Sequence, residues 1–61
     1  MSGDVIEKVG ISNIGFSDAV KNALMEMQKE HKVHWFQIMD QRGRMSPENE
    51  VEYQVIIRIG V

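Results

Sequence analysis

The sequence predicts an α+β fold of the order βαββ, with one helix packed on one face of a three-stranded antiparallel sheet. Hydrophobic residues recur at three- and four-residue spacing in only one stretch, Phe16 to Met27. The remaining apolar stretches are short, β-branched or alternating, and are separated by glycine, serine and proline. Because the 61 residues contain no repeat or linker, we expect a single domain over residues 1–61.

The first two elements follow from their endings and their period. "DVIEKVG" is β-branched and is stopped by Gly10, which predicts a strand over about Val5 to Val9. Ser12 or Ser17 is the candidate cap of the helix that follows. The apolar side of this helix is predicted from the residues Phe16, Ala19, Val20, Ala23, Leu24 and Met27.

Two further strands are predicted to form an antiparallel hairpin. From Val33 the period falls to two, so Phe36 and Ile38 point to one face and Trp35 to the other. "RGRMSPENE" is predicted to be the connecting loop, and "VEYQVIIRIGV" the last strand. We expect the helix to cover the apolar face made by Phe36, Ile38, Tyr53, Val55 and Ile57.

Composition narrows the functional classes. So small a chain cannot bury a large core, and it has no cysteine for disulfides or thiolate zinc sites, so self-association is expected to stabilise it. A net charge of −2, from 7 basic and 9 acidic residues that are well mixed, argues against a nucleic-acid partner. No apolar run approaches the roughly 20 residues of a membrane span. We therefore expect a cytoplasmic protein with no membrane partner.

The face opposite the helix carries two of the three candidate binding residues. Trp35 offers a flat ring for stacking, although packing in a subunit interface is an equally good explanation. Gln54 falls on the same face and presents a donor and an acceptor to a heterocycle. The guanidinium of Arg42 suits a phosphate, but strand parity from Trp35 turns it to the opposite face. A shared site with Arg42 requires a bulge, a strand end or a neighbouring subunit.

Other polar groups give weaker signals. His31 and His34 lack a third ligand at recognisable spacing for a metal, and the glutamates of "SPENEVE" are better read as a solvated loop. There is no cysteine nucleophile, no serine with a histidine and a carboxylate in a persuasive context, and no glycine-rich phosphate loop. We therefore predict a binding protein with no metal site and no catalytic residues.

Four stretches, in order, resemble the dodecin family of small flavin-binding proteins. "VIEKVGIS" is similar to its opening strand and "GFSDAVKNAL" to its helix start. "WFQIMDQRG" resembles its second strand and "YQVIIRIGV" its last. The resemblance covers essentially the whole chain and implies a βαββ subunit that assembles into a hollow dodecamer.

The same resemblance implies a function and a ligand. Trp35 would stack on a flavin, Gln54 would read the isoalloxazine edge, and Arg42 would contact the phosphate of a flavin nucleotide. The flavin is expected to be FMN, riboflavin or FAD, stored and quenched by the tryptophan. Coenzyme A is a further possible ligand. The alternatives are an oligomeric shell without flavin, holding no ligand or coenzyme A or a metal, and a small flavin-dependent redox enzyme.

Overall fold

The computed structural model describes residues 3–61 and contains one helix and three strands in the predicted order. These are β1 (Val5–Ser12), α1 (Phe16–Met27), β2 (Trp35–Met45) and β3 (Val51–Gly60). The strands form one antiparallel sheet in the order β1-β3-β2. The predicted βαββ fold is confirmed. The predicted domain also includes residues 1–2, which lie outside the described residues.

Both outer strands are longer than predicted. β1 continues past Val9 to Ser12, because Gly10 pairs with Val55 and does not stop the strand. β2 continues to Met45, so the first four residues of the predicted loop are strand. Their pairing with β3 satisfies backbone groups that an open loop would leave to water, and this outweighs the glycine signal. The true turn occupies residues 46–50.

The helix begins without a side-chain cap. Its N-cap residue is Gly15, and no side chain bonds to the first helical N–H groups. Ser12 instead holds the turn before the helix: its Oγ accepts from the Ile14 N–H at 2.9 Å and donates to Asp18 Oδ2 at 2.7 Å. The prediction that Ser12 or Ser17 caps the helix was therefore wrong.

The helix packs across β1 and β3. It approaches the sheet closely at Gly10, where a Cβ atom would overlap the carbonyl oxygen of Ala19. An ion pair between Lys8 and Glu26 also joins β1 to the helix. The buried core contains few large side chains, and its members are Ala19, Val20, Ala23, Val55, Ile57 and Ile59.

The helix does not cover β2. Val55 and Ile57 are fully buried as expected, but Phe36 and Ile38 are 45% and 44% exposed. The sheet order explains this, because β2 lies at the far edge from β1, to which the helix is joined. The predicted covering of Phe36 and Ile38 was wrong. These two side chains line an open groove of about 320 Å³ beside the first turn of α1.

The subunit is elongated, with principal extents of 46 × 20 × 14 Å. Its radius of gyration is 12.5 Å, whereas a compact domain of this length has about 10.5 Å. Large hydrophobic side chains remain exposed on both sides of the sheet. Within residues 3–61, no helix is long and apolar enough to cross a membrane.

Candidate functional site

The sheet surface opposite the helix is the uncovered face. Residues that pair across antiparallel strands point to the same side, so the register defines this face. On β1 it carries three apolar side chains that are 42–52% exposed, Val5, Val9 and Ile11. Such a patch, bordered by polar residues, is typical of an interaction surface.

Trp35 lies at one end of the uncovered face. It pairs with Gly60 on β3, and a Cβ atom at residue 60 would overlap the indole ring. Glycine therefore lets the ring rest against the β3 backbone. The side chain is 47% exposed, which leaves indole surface free for a planar partner. An open cleft of about 250 Å³ lies beside it, lined also by His34 and Asp4.

A β-bulge in β2 changes which side chains face the site. Ile38 pairs with Ile57 and Asp40 pairs with Ile56, so Met39 is an extra residue. After a bulge the alternation of faces shifts by one. Arg42, which an ideal strand would turn toward the helix side, therefore lies on the uncovered face. The bulge is one of the three conditions under which the sequence allowed Arg42 to share a face with Trp35.

Arg42 and Gln54 are brought together at the opposite end of the face. They are direct cross-strand partners. The Arg42 Nη2 donates to Asp40 Oδ2 at 2.6 Å, and this hydrogen bond, with the positive charge, lowers the pKa of the Asp40 carboxyl. The Arg42 guanidinium thus already has an anionic partner in the same strand.

Gln54 is held by a second set of side-chain hydrogen bonds. Its Nε2 donates to Glu52 Oε1 at 3.0 Å, and the Arg44 Nε donates to the same oxygen at 2.7 Å. The hydrogen bond from Gln54, followed by that from Arg44, lowers the pKa of the Glu52 carboxyl. This arrangement fixes the amide, with its oxygen left available as an acceptor.

The structure separates Trp35 from Gln54 within one chain. Trp35 is level with Gly60, and Gln54 lies six residues back along β3. At about 3.3 Å per residue this is a distance of roughly 20 Å. The three predicted binding residues share one face, but only Arg42 and Gln54 are neighbours.

Neither Asp40 nor Glu52 was predicted to belong to the site, and Glu52, which was predicted to lie in a solvated loop, lies in β3. Each stands two residues before a predicted binding residue, in "DQR" and "EYQ", and so lies on the same strand face. That spacing was the available signal. As for metals, no group of three histidine, aspartate or glutamate side chains converges anywhere in residues 3–61.

The whole described sheet and helix fall within one known protein family. The dodecin family profile matches residues 4–61. This chain belongs to the dodecin family. Dodecins are small, non-enzymatic ligand-binding proteins that form dodecamers, and some members bind flavins and others calcium. The family assignment confirms the resemblance and the prediction that the chain is not an enzyme.

Solved dodecins support the fold. A single-site variant of the Thermus thermophilus dodecin is 29% identical, with a TM-score of 0.86 over 95% of this chain and 88% of that chain. The Streptomyces coelicolor dodecin is 30% identical, with a TM-score of 0.86 over 97% and 86%. The calcium dodecin of Mycobacterium tuberculosis has a TM-score of 0.90 over 100% and 89%, but at 13% identity it shows the fold alone. Comparison with curated protein sequences yields no significant match.

Proposed function

We propose that this dodecin binds a flavin on the uncovered face and serves as a flavin store that quenches the bound ligand. One observation carries the proposal: a half-exposed indole rests against Gly60 on an open sheet face of a ligand-binding family member. A planar ring is the natural partner for such a surface. The bound flavin supplies that ring, with an excited state that the indole quenches.

The polar end of the face fits the rest of a flavin. The Gln54 amide oxygen is available to accept from a ring N–H, since its nitrogen is committed to Glu52. Arg42 supplies a guanidinium that matches phosphate oxygens. Riboflavin has no phosphate and needs only Trp35 and Gln54, whereas FMN and FAD can also use Arg42.

A second copy of the chain completes the site. The roughly 20 Å between Trp35 and Gln54 is too long for both to meet one isoalloxazine ring. Two copies related by a twofold axis can place the Trp35 end of one against the Gln54 end of the other. Each pair would then hold two equivalent sites. We propose that such pairs are part of a closed assembly of twelve chains, as in the dodecin family.

A cation is the main rival ligand within the family. The described residues offer no converging set of three carboxylate or imidazole groups. Two carboxylates of the uncovered face, Asp40 and Glu52, are instead paired with arginines. Their pairing supports a planar organic ligand over calcium at this face.

Riboflavin titration tests the proposal. We expect added riboflavin to lose most of its fluorescence on the apoprotein, and Trp35→Ala to weaken binding by about 1–3 kcal/mol and restore the emission. Trp35→Phe is the matched control, because it keeps a flat ring and should retain part of the affinity. Wild-type protein that leaves riboflavin emission unchanged, or full quenching in Trp35→Ala, would contradict the proposed function.

A further inference from the structure

We propose that Asp40 sets the preference between phosphorylated and unphosphorylated flavin by competing with the flavin phosphate for Arg42. The inference rests on the proposed function and concerns the same site. It makes Asp40 a specificity-determining residue that acts through Arg42.

The competition follows from geometry. Asp40 and Arg42 lie two residues apart in β2 and share the uncovered face, and the Arg42 Nη2 lies 2.6 Å from Asp40 Oδ2. Both side chains are at least half exposed, at 62% for Arg42 and 50% for Asp40, so an incoming phosphate can reach the pair. To bind Arg42 through two oxygens, the phosphate must displace the carboxylate or lie beside it. Displacement breaks the Asp40–Arg42 ion pair, and a phosphate beside the carboxylate shares one cation with it, so phosphate binding is weakened in either case.

The carboxylate remains charged while it does this. The hydrogen bond from Arg42 and its positive charge lower the pKa of Asp40, so the group is ionised at neutral pH. A phosphate that approaches Arg42, the cross-strand partner of Gln54, therefore also meets the full negative charge of Asp40.

The other arginines of the uncovered face do not remove this competition. Arg44 is bound to Glu52, the residue that also orients Gln54. Arg58 lies opposite Glu7 in the backbone register of β1 and β3. The strands thus place three arginines and three carboxylates on this face, and two of each form ion pairs. A surface balanced in this way gives a phosphate dianion little net attraction, so we expect riboflavin and FMN to bind this chain with similar affinity.

The test is a comparison of riboflavin and FMN titrations in Asp40→Asn. Asparagine keeps the shape of the side chain but removes its charge. We expect the ratio of FMN affinity to riboflavin affinity to rise about threefold to tenfold at low ionic strength, and the rise to shrink at high salt. Glu30→Gln is the charge-matched control, because this exposed residue follows the helix and lies off the sheet; it should leave the ratio unchanged.

A double variant separates competition for Arg42 from simple repulsion. In an Arg42→Ala background, adding Asp40→Asn should change the ratio much less than it does in wild type. An equal change in both backgrounds, or no change in the Asp40→Asn single variant, would overturn the inference while leaving flavin binding intact. Failure of wild type to quench either flavin would instead overturn the proposed function, and this inference with it.

Discussion

At the scale of single residues, the proposed flavin site depends on how Gln54 is oriented. Its amide nitrogen donates to Glu52, and Arg44 holds Glu52 in place. Gln54→Leu should weaken riboflavin binding by about 1–3 kcal/mol, because a ring N–H would lose its acceptor in the bound state. Titration of riboflavin against assembled protein measures this. Unchanged affinity in Gln54→Leu would exclude Gln54 from the site.

Glu52→Gln tests the orientation separately. The variant keeps the size of the side chain but can donate as well as accept, so the Gln54 amide is no longer held in one orientation. We expect riboflavin affinity to fall by less than in Gln54→Leu, with assembly size unchanged by light scattering. A loss of affinity in Glu52→Gln that exceeds the loss in Gln54→Leu would contradict a role that acts only through Gln54.

The residues of the proposed site were predicted from the sequence, whereas the residues that hold them in place were not. Trp35, Gln54 and Arg42 have side chains with distinctive surfaces or donors, which residue type alone reveals. Asp40 and Glu52 matter only through their neighbours on one strand face. Their contribution depends on side-chain hydrogen bonds, which alternation permits but does not specify.

At the scale of elements, the contact between α1 and β1 depends on Gly10. A Cβ atom there would overlap the Ala19 carbonyl oxygen, so Gly10→Ala must push the helix from the sheet. We expect a loss of roughly 1–3 kcal/mol in the free energy of unfolding, measured by urea denaturation at fixed protein concentration. Gly15→Ala is the control for a methyl group added without a clash, because no atom lies within 4 Å of its Cβ; its loss should be smaller and due only to alanine being a poorer N-cap than glycine. Equal stability of the two variants would contradict the close approach.

The ion pair between Lys8 and Glu26 predicts a pH dependence for the same contact. The hydrogen bond and charge of Lys8 lower the pKa of Glu26 from its ordinary 4.5. Stability from a lowered carboxyl pKa is present above that ordinary value and is lost as the pH falls through the folded value. Glu26→Gln should therefore melt below wild type at neutral pH, and the difference should narrow in acid. A difference independent of pH would contradict the ion pair.

The helix and strands were predictable where the hydrophobic period was regular, and less so where pairing between strands sets their length and register. The helix and the central strand follow from spacing alone. The extension of β2 to Met45 depends on ladder partners in β3, and the bulge at Met39 arises from that register. Local sequence encodes neither. Phe36 and Ile38 point to the helix side of the sheet, and their exposure likewise depends on the strand order.

At the scale of the whole molecule, the exposed surface predicts assembly. Trp35, Phe36 and Ile38 are nearly half exposed on the two sides of β2, and the buried core of the described residues has only four side chains larger than alanine. We expect a closed oligomer, of twelve chains, with no folded monomer at micromolar concentration. Native mass spectrometry of protein purified without added ligand measures assembly size and bound mass together. A folded species persisting near 7.0 kDa would contradict this.

The central claim is that Trp35 of one copy and Gln54 of another form one flavin site, and subunit mixing tests it most directly. Equal amounts of the Trp35→Ala and Gln54→Leu chains are unfolded, mixed and refolded, then assayed at a riboflavin concentration that saturates only intact sites. Half of the randomly formed pairs are mixed, and each mixed pair keeps one intact site of two. We predict recovery of about one quarter of the wild-type binding capacity.

A matched mixture gives the control. Wild-type chains refolded with an equal amount of the Trp35→Ala/Gln54→Leu double variant should keep about one quarter of the capacity, because only pairs of wild-type chains are complete. If each chain formed its own site, this mixture would keep about half, and the two single variants together would recover none. That pair of results would contradict the shared site.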